Sequence, residues 1–189
     1  MVEKIKQKIA TNRLTHVNVR QMSFDQLETL RGQHFDHIFS NFGGLNCIPE
    51  LNQITNHLTD LLKPGGFITW VVMPPFCPWE LLWVIKGHAR KAFRRWKKNG
   101  AMAHVEGEYF RTYYHSLSSI VKSLGPAFQL AKVESLGLLT PPPASASFID
   151  RFPSTFSILQ SLERNLTRTF PFSRWGDHII VTCQYKPLP

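Results

Sequence analysis

The feature that most constrains this chain is the order of elements in one block, from His34 to Met73. His34 to Ser40 carries Phe35, Ile38 and Phe39 and runs into Asn41-Phe42-Gly43-Gly44-Leu45-Asn46, where paired glycines permit a tight turn and a close backbone approach. Pro49 and Glu50 suit the first turn of a helix, since proline needs no amide partner there and a carboxylate favours the positive end of the helix dipole. Leu51, Ile54, Leu58, Leu61 and Leu62 follow at helical spacing, and Lys63-Pro64-Gly65-Gly66 stops the helix. Phe67 to Met73 is then a near-continuous run of β-branched and aromatic residues, as expected of a strand covered on both faces. Strand, helix and strand in this rhythm predict a parallel α/β sheet.

The flanks fit the same class less regularly. Val2, Ile5 and Ile9 share one face of a helix over Met1 to Ala10, which lacks a capping Ser, Thr, Asp or Asn before it. Val17 and Val19 alternate with polar neighbours, predicting a short strand, and Phe24 to Leu30 reads as one or two helical turns. Further on, the pattern predicts an amphipathic helix from Trp79 to Trp96, a helix over Ser116 to Leu124 and a strand within Phe128 to Leu139. A loop at Thr140 to Ser147, a helix at Ile158 to Leu166 and a strand at Ile179 to Tyr185 complete the chain. At 189 residues one domain spanning 1–189 is expected, with 77–112 and 140–175 as insertions into it.

Composition narrows the functional classes. A 43% hydrophobic and 19% charged chain is globular and not disordered. Three scattered cysteines build neither a disulfide framework nor a close-set zinc motif, so a reducing, cytoplasmic setting and no metal site are expected. The net charge of +9 is local: Lys86, Arg90, Lys91, Arg94, Arg95, Lys97 and Lys98 supply seven cations without an intervening acid, leaving 15 basic against 13 acidic residues elsewhere. Such a run marks one solvated face or one anionic contact. The first ten residues hold Glu3, Lys4, Lys6 and Lys8 and no apolar h-region of a signal peptide. The apolar stretch from Gly65 to Ile85 is interrupted by Pro74, Pro75 and Pro78, which argues against a membrane span.

The block FDHIFSNFGGLNCIPELNQITNHLTDLLKPGGFITWVVMPPFCPW, Phe35 to Trp79, resembles the class I S-adenosylmethionine-dependent methyltransferases of the type 11-like kind. The shared pattern is the FD opening of strand four, the S-N-F-G-G-L-N loop and the L-L-K-P-G-G turn into strand five. The resemblance implies a Rossmann-like sheet with an antiparallel last strand after Gly176-Asp177-His178, and S-adenosylmethionine as cofactor. It makes Val17 to Met22 strand three, with Met22 and Ser23 where an acidic residue usually meets adenine, and makes Asn41, Phe42 and Gly43 cofactor contacts. The family's glycine-rich loop after strand one has no counterpart, since no G-x-G occurs. The expectation is an N-terminally truncated domain without its first two strands, and an exposed sheet edge that recruits a partner or a second copy.

Methyl transfer from a sulfonium needs an aligned acceptor and a dry pocket more than elaborate acid–base machinery. A proton acceptor is needed for hydroxyl acceptors, and Tyr114 and His115, just before the helix at Ser116, are the catalytic candidates. Phe76, Trp79, Trp83 and Phe110 are of the type that lines a pocket for a small apolar or aromatic molecule. Asn41-Phe42-Gly43-Gly44 stands where many nucleic-acid methyltransferases carry N/D-P-P-Y/F, which disfavours a nucleic-acid substrate. The competing reading is a non-catalytic binding module that contacts nucleic acid or anionic lipid through residues 86–98.

Overall fold

The computed structural model describes residues 2–188 apart from 42, 86, 106 and 143–145. Four strands form the main sheet in the order β1-β2-β6-β5, with β1 at Phe35–Ser40, β2 at Leu62–Val72, β5 at Phe128–Leu136 and β6 at His178–Tyr185. β1 runs parallel to β2, and β6 lies antiparallel to both β2 and β5. The last strand is thus the reversed one, as the resemblance implied. A separate hairpin pairs β3 (Ala101–Val105) with β4 (Glu108–Thr112), an element the sequence analysis left unassigned although Gly107 bends there at φ +90°.

One face of the sheet carries the core. Ile68, Trp70 and Val72 on β2 stand opposite Cys183, Val181 and Ile179 on β6, because alternate residues of a strand share a face. Ile54 and Leu58 of helix α2 (Asn52–Leu61), and Leu117, Ile120 and Leu124 of α5 (Leu117–Leu124), close over them. α5 begins where it is capped: the Ser116 Oγ accepts from the Ser119 amide at 3.1 Å. The opposite face is not covered throughout. Phe67 is 37% exposed, and His37, Thr69 and Thr182 form a polar row with 3.0 Å contacts. The apolar run therefore marked a buried strand correctly while overstating burial on its second face.

The turn Lys63-Pro64-Gly65-Gly66 bulges out as β2 begins, so that β1 residues Phe35 and His37 pair with Leu62 and Phe67. Gly66 has to be glycine, since a Cβ there would lie 2.9 Å from the Lys63 carbonyl oxygen and 3.0 Å from that of Asp36.

Two expectations need correction. Val17 to Met22 forms no strand, because extended backbone becomes a strand only with a neighbour to bond, and β1 pairs on one side only among the described residues. Helix α1 (Val2–Thr11) forms as predicted, but none of its residues is buried. The long helix from Trp79 to Trp96 is broken into α3 (Pro78–Ile85), α4 (Ala89–Ala92) and a 3-10 turn at Arg94–Trp96. Gly87 at φ +75° reverses the chain, and the His88 amide bonds the Trp83 carbonyl at 2.8 Å. Lys86 lies outside the described residues. No described helix is long and apolar enough to cross a membrane.

Helices α6 (Ala146–Arg151) and α7 (Pro153–Leu166) occupy the predicted second insertion. β5 falls within the expected segment and stops at Leu136, because the next four amides turn to a side chain. Glu163 of α7, 7% exposed, accepts from Gly137 and Leu138 through Oε1 and from Leu139 and Thr140 through Oε2, at 2.6–3.2 Å. Glu163→Gln puts an NH2 group against two of these donors. The change is expected to cost about 2–3 kcal/mol, lowering Tm by roughly 5–10 °C in a thermal melt, and an unchanged Tm would show that the loop is held otherwise.

Candidate functional site at the C-terminal edge of the sheet

In a parallel α/β sheet, ligands bind outside the carboxyl ends of the strands, where loops leave in different directions. Here the loops after β1 and β2 and the segment between β4 and α5 meet at that edge, and Asn46 joins all three. Its side chain is fully buried. Oδ1 accepts from the Met73 amide at 2.9 Å, while Nδ2 donates to the carbonyls of Met73, at 3.1 Å, and of Tyr113. Its own carbonyl accepts from the Tyr113 amide at 2.7 Å. The turn before it needs Gly43, which sits at φ +79° with its open side 3.5 Å from Met73 Cε.

A second polar cluster holds the post-β2 segment to the start of β6. Arg95, 4% exposed, donates to Glu80 Oε1 and Asp177 Oδ1, each at 2.8 Å, and to the carbonyls of Pro74 and Asp177 at 3.2 and 2.9 Å. Arg94 grips the same Glu80 carboxylate through Nε and Nη2 at 2.9 and 2.7 Å. Two cations thus face two carboxylates. Burial alone would raise the Asp177 pKa, yet its hydrogen bond and charge contact with His178 and the Arg95 guanidinium hold it below the ordinary value. That stabilisation is present above the unfolded carboxyl pKa and is lost as pH falls through the lower folded one.

Between these clusters lies a cleft of about 380 Å³ lined by Pro49, Pro75, Arg95, Trp96, Lys97, Lys98, Tyr113, Tyr114 and His115. Both catalytic candidates from the sequence line it. The Tyr114 ring faces the Arg95 guanidinium at 5.3 Å, and burial, which outweighs the two nearby arginines, raises its phenol pKa; the hydroxyl stays protonated at neutral pH. His115 is 7% exposed, and its Nε2 lies 3.0 Å from the Ile48 carbonyl oxygen and 3.3 Å from that of Leu45. Two acceptors require that Nε2 carry the proton, so the neutral ring has a bare Nδ1. Burial lowers its pKa, opposed by those two carbonyls and by the Glu50 charge.

The Phe24 ring, one residue beyond Ser23, reaches the Gly44 backbone, with its Cζ 3.7 Å from where a Gly44 Cβ would lie. Ser23 opens the 3-10 turn Phe24–Leu30 and its amide bonds Gln26 Oε1 at 3.1 Å. Phe42 lies outside the described residues. The four apolar candidates do not gather at this cleft. Phe76 packs on Trp175 at 4.7 Å, Trp79 meets Phe148 edge-on at 6.3 Å, Trp83 lies against His88 and under Lys91, and Phe110 sits on the hairpin. Trp96, Tyr113, Lys97 and Lys98 stand there instead.

Residues 1–70 match the family model described as a methyltransferase domain. Among solved structures the chain is similar to a SAM-dependent methyltransferase from Methanosarcina mazei, with TM-score 0.54 and 15% identity over 100% of this chain and 80% of that one. It is also similar to the CcbJ methyltransferase from Streptomyces caelestis, with TM-score 0.55 and 12% identity over 98% and 71% of the two chains. An S-adenosylmethionine-dependent methyltransferase from Mesorhizobium loti gives TM-score 0.50 and 13% identity over 95% and 76%. No curated protein is similar in sequence. The molecule therefore has the Rossmann-like α/β fold of the class I methyltransferases.

Two measurements check this geometry. Asn46→Asp aims an acceptor at the Met73 and Tyr113 carbonyls, and it should cost roughly 3 kcal/mol in denaturant unfolding, where a loss under about 0.5 kcal/mol, the scale of an ordinary surface change, would contradict the bridging role. In 15N NMR, His115 should titrate below the ordinary imidazole value, because burial disfavours its charged form, and show a protonated Nε2 with a bare Nδ1 at neutral pH; a protonated Nδ1 would overturn the tautomer.

Proposed function

We propose that this protein is an S-adenosylmethionine-dependent methyltransferase acting on a small organic molecule bound in the cleft beside His115. The observation that carries the reading is the position of that cleft at the carboxyl ends of β1 and β2, in a fold whose solved relatives named above are methyltransferases. The residues present fit the methionyl end of the cofactor: Asn41 is exposed, and Gly43 and Gly44 turn half-buried backbone without side chains toward the strand ends. On the other side the Phe24 ring, next to Ser23, reaches Gly44. When bound, S-adenosylmethionine supplies an electrophilic methyl group on a sulfonium.

The chain's own residues then do three things. Asn46 and the Arg95 cluster hold the walls, so that an acceptor is oriented without the loops having to order around it. Tyr113, Tyr114 and Trp96 limit water. His115 offers Nδ1 to the acceptor's proton, with Nε2 anchored on two carbonyls so that the ring keeps its orientation. The lowered pKa keeps the base unprotonated through neutral pH and somewhat below it.

A second reading is favoured by one observation: Ile85, Phe93 and Trp96 are exposed beside Arg90, Lys91, Lys97 and Lys98, a composition suited to nucleic acid or an anionic lipid surface. Calorimetry separates the two. S-adenosylhomocysteine should bind with micromolar affinity, about −8 kcal/mol; no heat would sink the enzyme reading and leave the binding module. In the active enzyme, His115→Gln keeps a donor for the two carbonyls but removes the base. It should lower kcat by about 10²–10⁴-fold with KM little changed for a hydroxyl acceptor, and an unchanged kcat would remove His115 from the reaction.

A further inference from the structure

We propose that the cleft selects an organic anion built on a single ring, with its carboxylate at Lys97 and Lys98, its ring among Trp96, Tyr113 and Tyr114, and a hydroxyl at His115. This inference rests on the methyl-transfer reading and names the substrate class of the same site. The charge balance carries it first. Four of the nearby charges cancel, since Arg94 and Arg95 are taken up by Glu80 and Asp177. Lys97 and Lys98 line the cleft, and neither side chain has a hydrogen bond or ion pair among the described residues. Among the described residues no carboxylate lines it with them; Glu50 acts on His115 from next to Pro49. The site therefore holds two uncompensated positive charges beside three aromatic rings.

His115 supplies the independent second observation. It is more than nine-tenths buried, lines the cleft, and has one ring nitrogen fully engaged and the other without a partner among the described residues. Nδ1 is not among the enclosed side-chain atoms left without a bond, so in the neutral ring its bare lone pair is open to a bound molecule. A hydroxyl there donates its hydrogen to that lone pair. A cleft of about 380 Å³ falls at the low end of small-molecule sites, which suits one ring with two short substituents better than an extended chain.

The test uses the whole chain without cofactor and 4-hydroxybenzoate as probe, read by calorimetry and by the His115 15N signals. The probe should bind, shift the Nδ1 resonance, and outcompete its neutral analogue 4-hydroxybenzamide by at least tenfold. The double variant Lys97→Met/Lys98→Met alters exposed side chains only and should erase that preference while leaving S-adenosylhomocysteine binding intact. Equal binding of the amide, no binding of the acid, or a preference that survives the double variant would each overturn the proposal without touching the methyl-transfer reading. Inorganic phosphate should compete poorly; phosphate binding as tight as the probe's would mean that the lysines hold any anion and would overturn the ring-acid assignment. Vesicles of phosphatidylserine and phosphatidylcholine should leave the tryptophan emission unchanged in a variant with Trp79, Trp83 and Trp175 replaced by Phe, where Trp96 is the exposed tryptophan that remains. A blue shift with vesicles and no response to 4-hydroxybenzoate would assign the cations to a lipid surface instead.

Discussion

The cleft exists because one buried amide, that of Asn46, satisfies backbone groups from three separate loops. At the carboxyl edge of a sheet the chain leaves the ladder, and the freed N–H and C=O groups must find partners or pay for desolvation. Asn46 provides one acceptor and two donors on a side chain too short to adapt, and its bonds to Met73 and Tyr113 fix where the β2 loop and the β4–α5 segment lie relative to the β1 loop. Without water to compete, those bonds are stronger than the same contacts on a surface. His115 depends on the same join, because the carbonyls of Leu45 and Ile48 that orient its ring flank Asn46 in the chain.

The ion cluster of Glu80, Arg94, Arg95 and Asp177 does a related task by different means. A buried ion pair is weak evidence for stability, since desolvation offsets the attraction, whereas removing one partner leaves a costly bare charge. Its worth here is positional. Arg95 bonds the carbonyls of Pro74 and Asp177 as well as two carboxylates, which ties the segment after β2 to the residue that opens β6. The Glu163 carboxylate fixes the 137–140 turn to α7 in the same manner. Around a four-stranded sheet with one well-covered face, polar side chains locate the loops that the apolar core leaves undirected.

The fold was legible where physics is local. The apolar run from Phe67, the spacing of Leu51, Ile54, Leu58 and Leu61 and the helical pattern of Ser116 to Leu124 all act within a few residues, and α2, α5, β1, β2 and β6 stand close to where the sequence puts them. Non-local bonding was not legible. Asn46 was visible as part of a glycine turn, but its partners lie 27 and 67 residues away. Arg95 read as one more surface cation because Glu80 and Asp177 are 15 and 82 residues distant. The Val17–Met22 strand failed for a like reason, since its periodicity describes a residue pattern and a strand needs an edge. Tyr114 and His115 were reached by position in the resemblance, and both line the cleft. The aromatic candidates Phe76, Trp79, Trp83 and Phe110 were chosen by residue type, which does not distinguish packing against Trp175 or Phe148 from lining a cleft.

The proposed site of methyl transfer is the set of loops that Asn46 ties together, and amide chemical-shift mapping tests this most directly. Addition of S-adenosylhomocysteine should move the amide signals of Asn41, Gly43, Gly44, Asn46 and Ser23 most, with smaller changes at Tyr113 and His115. Shifts confined to α4 and Arg94–Lys98, or none on the sheet's carboxyl edge, would contradict it.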